Sequence, residues 1–300
     1  MKYFEIGWLS TSDGPGSRVV IFLQGCSQRC PWCHSPHSWA ESSPLLFNSS
    51  RCQNCGMCVD ACNQKVHSIQ NGSHFLNRDR CINCGMCVAA CPNSQNDYLG
   101  SALCLPTRTK TAYALFQYVL PQLDIIKQSG GITLSGGEAL LQAEEVAEFL
   151  KLCKEKNIST CIESSFSLPA SRYELVMPYV DYWLAGLRDI SLGKNSDEED
   201  KNIINKINLV SKYAKKIIAR YPVIDGFTTT AKHKERYLNV MKACHIEEIE
   251  FMKCNENMMH YYTLSGIPCE MNLDRIILEN NQIEEIAAFF QKEGIVVRII

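Results

Sequence analysis

Val19-Val-Ile-Phe-Leu-Gln-Gly-Cys26-Ser-Gln-Arg-Cys30-Pro-Trp-Cys33 carries an apolar run straight into three cysteines. The unbroken run Val19–Leu23 predicts a strand buried on both faces, as in a parallel sheet. Further runs follow at Gly131–Leu134, Ile158–Ile162, Tyr182–Ala185, Ile217–Arg220, Glu247–Phe251 and Ile295–Ile299. Segments of helical period lie between them, at Ala112–Lys127, Ala143–Lys156, Ser196–Ala214, Lys232–Ala243 and Gln282–Lys292. Strands separated by helices mean βαβ units in an α/β fold; doubly wound sheets and β/α barrels both fit. In both, chemistry gathers at the carboxyl ends of the strands. The three cysteines stand at such an end.

Three thiolates within eight residues suit the soft irons of a 4Fe–4S cluster, which needs four ligands. With no fourth cysteine nearby, one iron is left open for a substrate, as catalytic zinc sites keep a position free. A zinc knuckle, or a fourth ligand from His34 or His37, is the alternative.

Working outward, Arg51-Cys-Gln-Asn-Cys-Gly-Met-Cys-Val-Asp-Ala-Cys-Asn63 recurs as Arg80-Cys-Ile-Asn-Cys-Gly-Met-Cys-Val-Ala-Ala-Cys-Pro92. Both follow Cys-x2-Cys-x2-Cys-x3-Cys, the two-cluster ferredoxin pattern in which each fourth cysteine crosses to the other cluster. Crossing predicts Cys52, Cys55, Cys58 and Cys91 on one 4Fe–4S cluster, and Cys81, Cys84, Cys87 and Cys62 on the other. Asn63 replaces the usual proline without removing a ligand; zinc is the minor alternative. With every position filled, these clusters carry electrons or simply hold their segment together. Residues 45–105 therefore read as an insertion, and 1–44 with 106–300 as the main domain. The remaining cysteines, Cys104, Cys153, Cys161, Cys244, Cys254 and Cys269, read as buried inert thiols.

The chain has 300 residues, 46% hydrophobic and 21% charged, with a formal net charge of -2. That balance is ordinary for a globular protein and argues against nucleic acid as a partner. The start, Met1 to Ser12, lacks the apolar core of a signal peptide, and no window has ~20 uninterrupted apolar residues. The expectation is a cytoplasmic protein without a membrane span.

Cys26-x3-Cys30-x2-Cys33 with Trp32 before the third cysteine resembles the signature of the radical S-adenosylmethionine (SAM) superfamily. Ser12-Asp-Gly-Pro-Gly-Ser-Arg18, Phe22-Leu-Gln-Gly-Cys26 and Cys33-His-Ser-Pro36 resemble the activating enzymes of glycyl-radical enzymes, such as the pyruvate formate-lyase activating family. The resemblance implies a partial (β/α)6 TIM-like barrel carrying a ferredoxin-like insertion. It also implies an oxidoreductase that cleaves SAM reductively at the Cys26, Cys30 and Cys33 cluster. The resulting 5′-deoxyadenosyl radical would take hydrogen from a glycine of a partner glycyl-radical enzyme under anaerobic conditions. A flavodoxin or ferredoxin would donate the electron, and three 4Fe–4S clusters would be present.

By the same resemblance, Trp32 lies at the cofactor. Ser135-Gly136-Gly137-Glu138 holds the methionyl amine, Glu163 and Ser164 meet the SAM carboxylate or ribose, and Arg220 stands near the carboxylate. Gly136 and Gly137 suit close backbone approach to a ligand. The chain departs from the family at Ala139, where proline is usual, and at Phe251-Met-Lys-Cys254. It also reads Gly186-Leu187-Arg188 for the usual Asp-Leu-Lys, so the acidic group expected near the cofactor carboxylate is absent unless Asp181 or Asp189 substitutes from a shifted position. Two other functions fit less of the sequence: a radical SAM enzyme acting on a small molecule or peptide, and an electron-transfer protein with a vestigial radical motif.

Overall fold

The computed structural model describes residues 1–94, 100–192 and 197–300, with the side chains of Asp189 and Ser191 set aside. Its strands are β1 (Lys2–Ser10), β2 (Ser17–Leu23), β3 (Leu46–Phe47), β4 (His67–Gln70), β5 (Ser73–Leu76), β6 (Leu103–Cys104) and β7 (Arg108–Thr109), then β8 (Gly130–Gly136), β9 (Ser159–Ser164), β10 (Tyr182–Ala185), β11 (Lys216–Val223), β12 (Glu248–Lys253) and β13 (Val296–Ile299). Every apolar run named above falls on a strand.

One mixed sheet has the order β13-β12-β11-β10-β9-β8-β2-β1-β7. From β2 through β13 the pairings are parallel, while β1 pairs antiparallel with β2 and β7. The parallel part thus extends one strand past the six of the expected barrel, through β13 at the edge. β1 was missed because its burial is uneven: Trp8 and Leu9 are about half exposed, so no apolar alternation shows.

Alternation across the strands divides the faces. Val19, Ile21, Leu134, Ile162, Ala219, Tyr221 and Phe251 join the main apolar core with helices Ala112–Ile126, Ala143–Glu155, Asp197–Val210, Ala231–Ala243 and Asn280–Gln291. These helices pack against one face of the sheet, each by an apolar stripe such as Val146, Phe149, Leu150 and Cys153. The intervening residues Thr133, Ser135, Glu163, Arg220 and Glu250 point the other way, so the polar chemistry collects on the inner face. The segment Ser196–Ala214 begins outside the described residues at Ser196; its helix runs Asp197–Val210.

The repeated sequence folds twice alike. Asn54 and Asn83 take left-handed φ values of 54° and 55°, and helices Met57–Ala61 and Met86–Ala90 follow. β4 and β5 form a hairpin between the repeats, and β3 pairs with β6 through Leu46↔Cys104 and Phe47↔Leu103. Arg78 donates to the carbonyls of Leu45 and Leu264, the latter at 2.9 Å, tying this unit to the helix Met258–Ser265 of the main body. No helix among the described residues is long and apolar enough to cross a membrane.

Candidate active site at the strand ends

The loop after β2 is folded back by backbone bonds from Gly25 to Ser38 (2.8 Å) and from Cys26 to Trp39 (3.1 Å). Gln24, 2% exposed, donates to the carbonyls of His37 (2.9 Å) and Ala40 (2.8 Å). Those bonds set the path that turns Cys26, Cys30 and Cys33 into a cavity of about 400 Å³. His34 lines it, whereas His37 packs edge-on against Phe4 at 4.9 Å. Trp32 lies in the wall, in contact with Phe227. Burial raises the Cys26 thiol to about 12 and that of Cys33 to about 11. Holding them as thiolates therefore calls for a soft cation, and the donor set fits an iron–sulfur cluster.

Gly136, Gly137 and Glu138 line the same cavity. A Cβ on Gly136 (φ +114°) would meet the Leu23 nitrogen at 2.2 Å, and one on Gly137 the Gly25 carbonyl at 2.1 Å. The close approach these glycines allow is thus to the backbone leading into Cys26. Gly137 N donates to Leu23 O (2.9 Å) and Glu138 N to Gly25 O (2.8 Å), which latches the two loops together.

Glu138 is 1% exposed. One carboxylate oxygen accepts from Ser164 Oγ (2.9 Å) and Leu140 N (3.4 Å), the other from Ser165 N (2.8 Å) and Ser165 Oγ (2.5 Å). Burial pushes its carboxyl up, against these donors. Both oxygens are engaged within the chain, so the carboxylate ties the end of β8 to the end of β9.

Glu163 behaves differently. Burial opposes its charge, but Arg220 and Arg188 outweigh it and hold the carboxyl below its ordinary value. It accepts from Ser135 Oγ at 2.9 Å and pairs with Arg188 at 3.4 Å. Arg220, buried, donates to Ser12 O (2.7 Å) and pairs with Glu250 (3.0 Å) and Asp13 (3.6 Å). The Asp13 loop is fixed further by Thr133, which donates to Asp13 O (2.6 Å), and by buried Arg18, bonded to Thr133 Oγ1 (2.8 Å) and Pro15 O (3.0 Å).

Two sequence expectations need correcting. Asp181 stands just before β10, away from the cavity, where it takes bonds from Thr160 N (3.0 Å) and Lys154 (2.8 Å). It is a clasp between strands at the amino end of the sheet and not a substitute acid at the site. Asp189 lies outside the described side chains. Of the scattered cysteines, Cys104, Cys153, Cys161 and Cys244 are buried, but Cys254 and Cys269 are half-buried, and Cys254 lines the cavity. Met252 and Lys253 line it too, contributions that the sequence alone did not reveal.

In the small unit, one cavity is lined by Cys52, Cys55, Cys58 and Cys91, and a second by Cys62, Cys81, Cys84 and Cys87. Burial raises the Cys58 and Cys87 thiols to about 11, so here too four sulfurs fit a soft metal centre.

A family model described as a 4Fe-4S dicluster domain matches residues 51–95. The chain is 30% identical over 233 residues to the choline trimethylamine-lyase activating enzyme of Oleidesulfovibrio alaskensis, covering 74% of this chain and 72% of that one. It is 28% identical to the (2S)-3-sulfopropanediol dehydratase activating enzyme of Klebsiella oxytoca, over 97% of this chain and 94% of the relative. Identity to the 4-hydroxyphenylacetate decarboxylase activating enzyme of Clostridioides difficile is 27%, with coverages of 97% and 93%.

Proposed function

The chain belongs to the activating enzymes of glycyl-radical enzymes, and on that premise we propose how its residues divide the work. It is a radical SAM enzyme that generates a glycyl radical in a partner protein. The observation that carries the assignment of residues is the convergence of Cys26, Cys30 and Cys33 with Gly136–Glu138 and Glu163 in one cavity at the strand ends.

Cys26, Cys30 and Cys33 would hold a 4Fe–4S cluster, which when bound supplies one electron to the sulfonium of SAM. The backbone of Gly136 and Gly137 would receive the methionyl amine, with Glu138 fixing that turn from behind. Glu163 and Ser164 would face the carboxylate or ribose side. Arg220 keeps Glu163 charged and anchors the Asp13 loop, so its part is to shape the wall as much as to meet a ligand. Trp32, buried in the wall, would keep water from one side of the cavity. Five long helices packed on one sheet face, with side chains from successive strand ends around one cavity on the other, support a partial β/α barrel over a doubly wound sheet.

The two four-cysteine cavities would hold two more 4Fe–4S clusters, three in all, in an insertion spanning 45–105. These would relay electrons from a flavodoxin or ferredoxin. The test is anaerobic incubation of the reconstituted protein with dithionite and SAM, following methionine and 5′-deoxyadenosine. Equimolar products, lost in Cys30→Ala, are expected; cleavage that persists in Cys30→Ala would overturn the assignment.

A further inference from the structure

Between the two cavities of the small unit lies a pair of histidines that the function above leaves unused. On the β4–β5 hairpin, His67 pairs with Leu76 and Ile69 with His74, which puts both imidazoles on one face as diagonal neighbours. His67 Nδ1 and His74 Nε2 are 2.9 Å apart. His74 lines the cavity of Cys52, Cys55, Cys58 and Cys91, with its Nδ1 3.4 Å from Cys52 Sγ and its Nε2 3.6 Å from Cys58 Sγ. His67, 4% exposed, lines the cavity of Cys62, Cys81, Cys84 and Cys87, and its Nε2 has no hydrogen-bond partner among the described residues. Among the described residues, a ring nitrogen within reach of a sulfur is therefore found at the first cavity and not at the second.

We propose that His74 is a positioning residue that makes the first of the two clusters the more easily reduced. This rests on reading the unit as a two-cluster carrier. A thiolate ligand only accepts, and of the two His74 nitrogens near a sulfur Nδ1 is the closer, at 3.4 Å from Cys52 Sγ against 3.6 Å between Nε2 and Cys58 Sγ, so Nδ1 carries the proton. The other nitrogen of neutral His74 must then accept from His67 Nδ1–H. His67 in this way fixes the tautomer of His74. Reduction adds negative charge that spreads onto the cluster sulfurs, and an N–H aimed at one of them stabilises the reduced form. Hydrogen bonds to sulfur are among the levers that set such potentials. The hairpin thus breaks the symmetry of the duplicated sequence and gives the electron a preferred resting place.

The test uses full-length protein reconstituted in a Cys30→Ala background, where only the signals of the small unit remain. Its reduced clusters are followed by electron paramagnetic resonance during an anaerobic redox titration. In His74→Leu, one wave is expected to move to lower potential by about tenfold in its one-electron equilibrium, or about 59 mV. The other wave and the iron content stay in place. His67→Leu, which removes the tautomer lock without touching either sulfur, moves the same wave the same way by less, and it decides the matter if His74→Leu loses iron. Unmoved waves at full iron content would overturn the inference and leave the two clusters standing. Parent protein with no iron in the unit, or with zinc at the Cys58, His67 and His74 group, whose ligand atoms lie within 4.8 Å of one another, would overturn both.

Discussion

Replacing Glu138 with Gln changes one atom in a place where four donors converge. The carboxylate takes Ser164 Oγ at 2.9 Å, Leu140 N at 3.4 Å, Ser165 N at 2.8 Å and Ser165 Oγ at 2.5 Å. An amide can accept at only one end, and its NH2 is best placed beside Ser164, whose hydroxyl can turn round, and the long contact from Leu140. Hydrogen bonds to a charged group are worth about 1.5–3 kcal/mol, so the net loss should be near 2 kcal/mol. Because the carboxylate joins the ends of β8 and β9, that loss falls on the fold and on the alignment of Gly136 and Gly137 together. Shared about equally, it should drop the thermal midpoint by roughly 2–4 °C and SAM affinity by about fivefold. Calorimetric melting and equilibrium SAM binding, both anaerobic, read the two effects. Ser165→Ala, which deletes a single donor, should give a smaller fall in both. A loss of affinity with an unchanged melting point would refute the reasoning and put the carboxylate on the ligand itself. No change in either would make the motif an ordinary strand-end turn.

Three other outcomes are expected. Anaerobic reconstitution should load about 12 irons per chain, four for each of three clusters; about eight with full activity would contradict the count, read by colorimetric iron assay. Cys84→Ala should retain part of its SAM cleavage with a strong artificial reductant, whereas Cys30→Ala should retain none; equal, total loss in both would mean the small unit is indispensable structurally and not a relay. Burial opposes the charge of Asp181, but hydrogen bonds from Lys154, Thr160 and Lys215 hold its pKa at about 2. Its stabilisation, about 2 kcal/mol by linkage, is therefore full above about pH 4 and disappears as pH falls from 4 to 2. Asp181→Asn should lose that stability at neutral pH and show less acid sensitivity over that interval, checked by denaturant titrations at several pH values.

The sequence was most legible where chemistry is local. An apolar run ending in three cysteines announces a strand end with a metal loop, and the duplicated cysteine pattern predicts which sulfurs share a cavity. What it could not show depends on residues far apart in the chain. Three of the four donors to Glu138 come from Ser164 and Ser165, and Arg220 pairs with Glu250 on neighbouring β12 as well as with Asp13, both far from it in the chain. Asp181 looked like a spare acid because its number lies near Arg188, yet the direction of β10 carries the two to opposite ends of the sheet. The helix Met258–Ser265, whose Tyr262 hydroxyl donates to Pro31 O at 3.3 Å over the cysteine loop, has no clear amphipathic stripe and went unread. A signal for the His67–His74 pair was available: Asn71-Gly72 between them is a hairpin turn dipeptide, and the strand alternation then puts both rings on one face.

The central claim is that this chain moves a hydrogen atom from a protein glycine to a fragment of SAM. The most direct test supplies the reduced enzyme and SAM with a candidate partner glycyl-radical enzyme, prepared with α-deuterated glycine. Electron paramagnetic resonance should show a glycyl signal growing in the partner, and mass spectrometry should find deuterium in the 5′-deoxyadenosine. SAM cleavage that leaves the partner without a radical and the 5′-deoxyadenosine without deuterium would contradict the account.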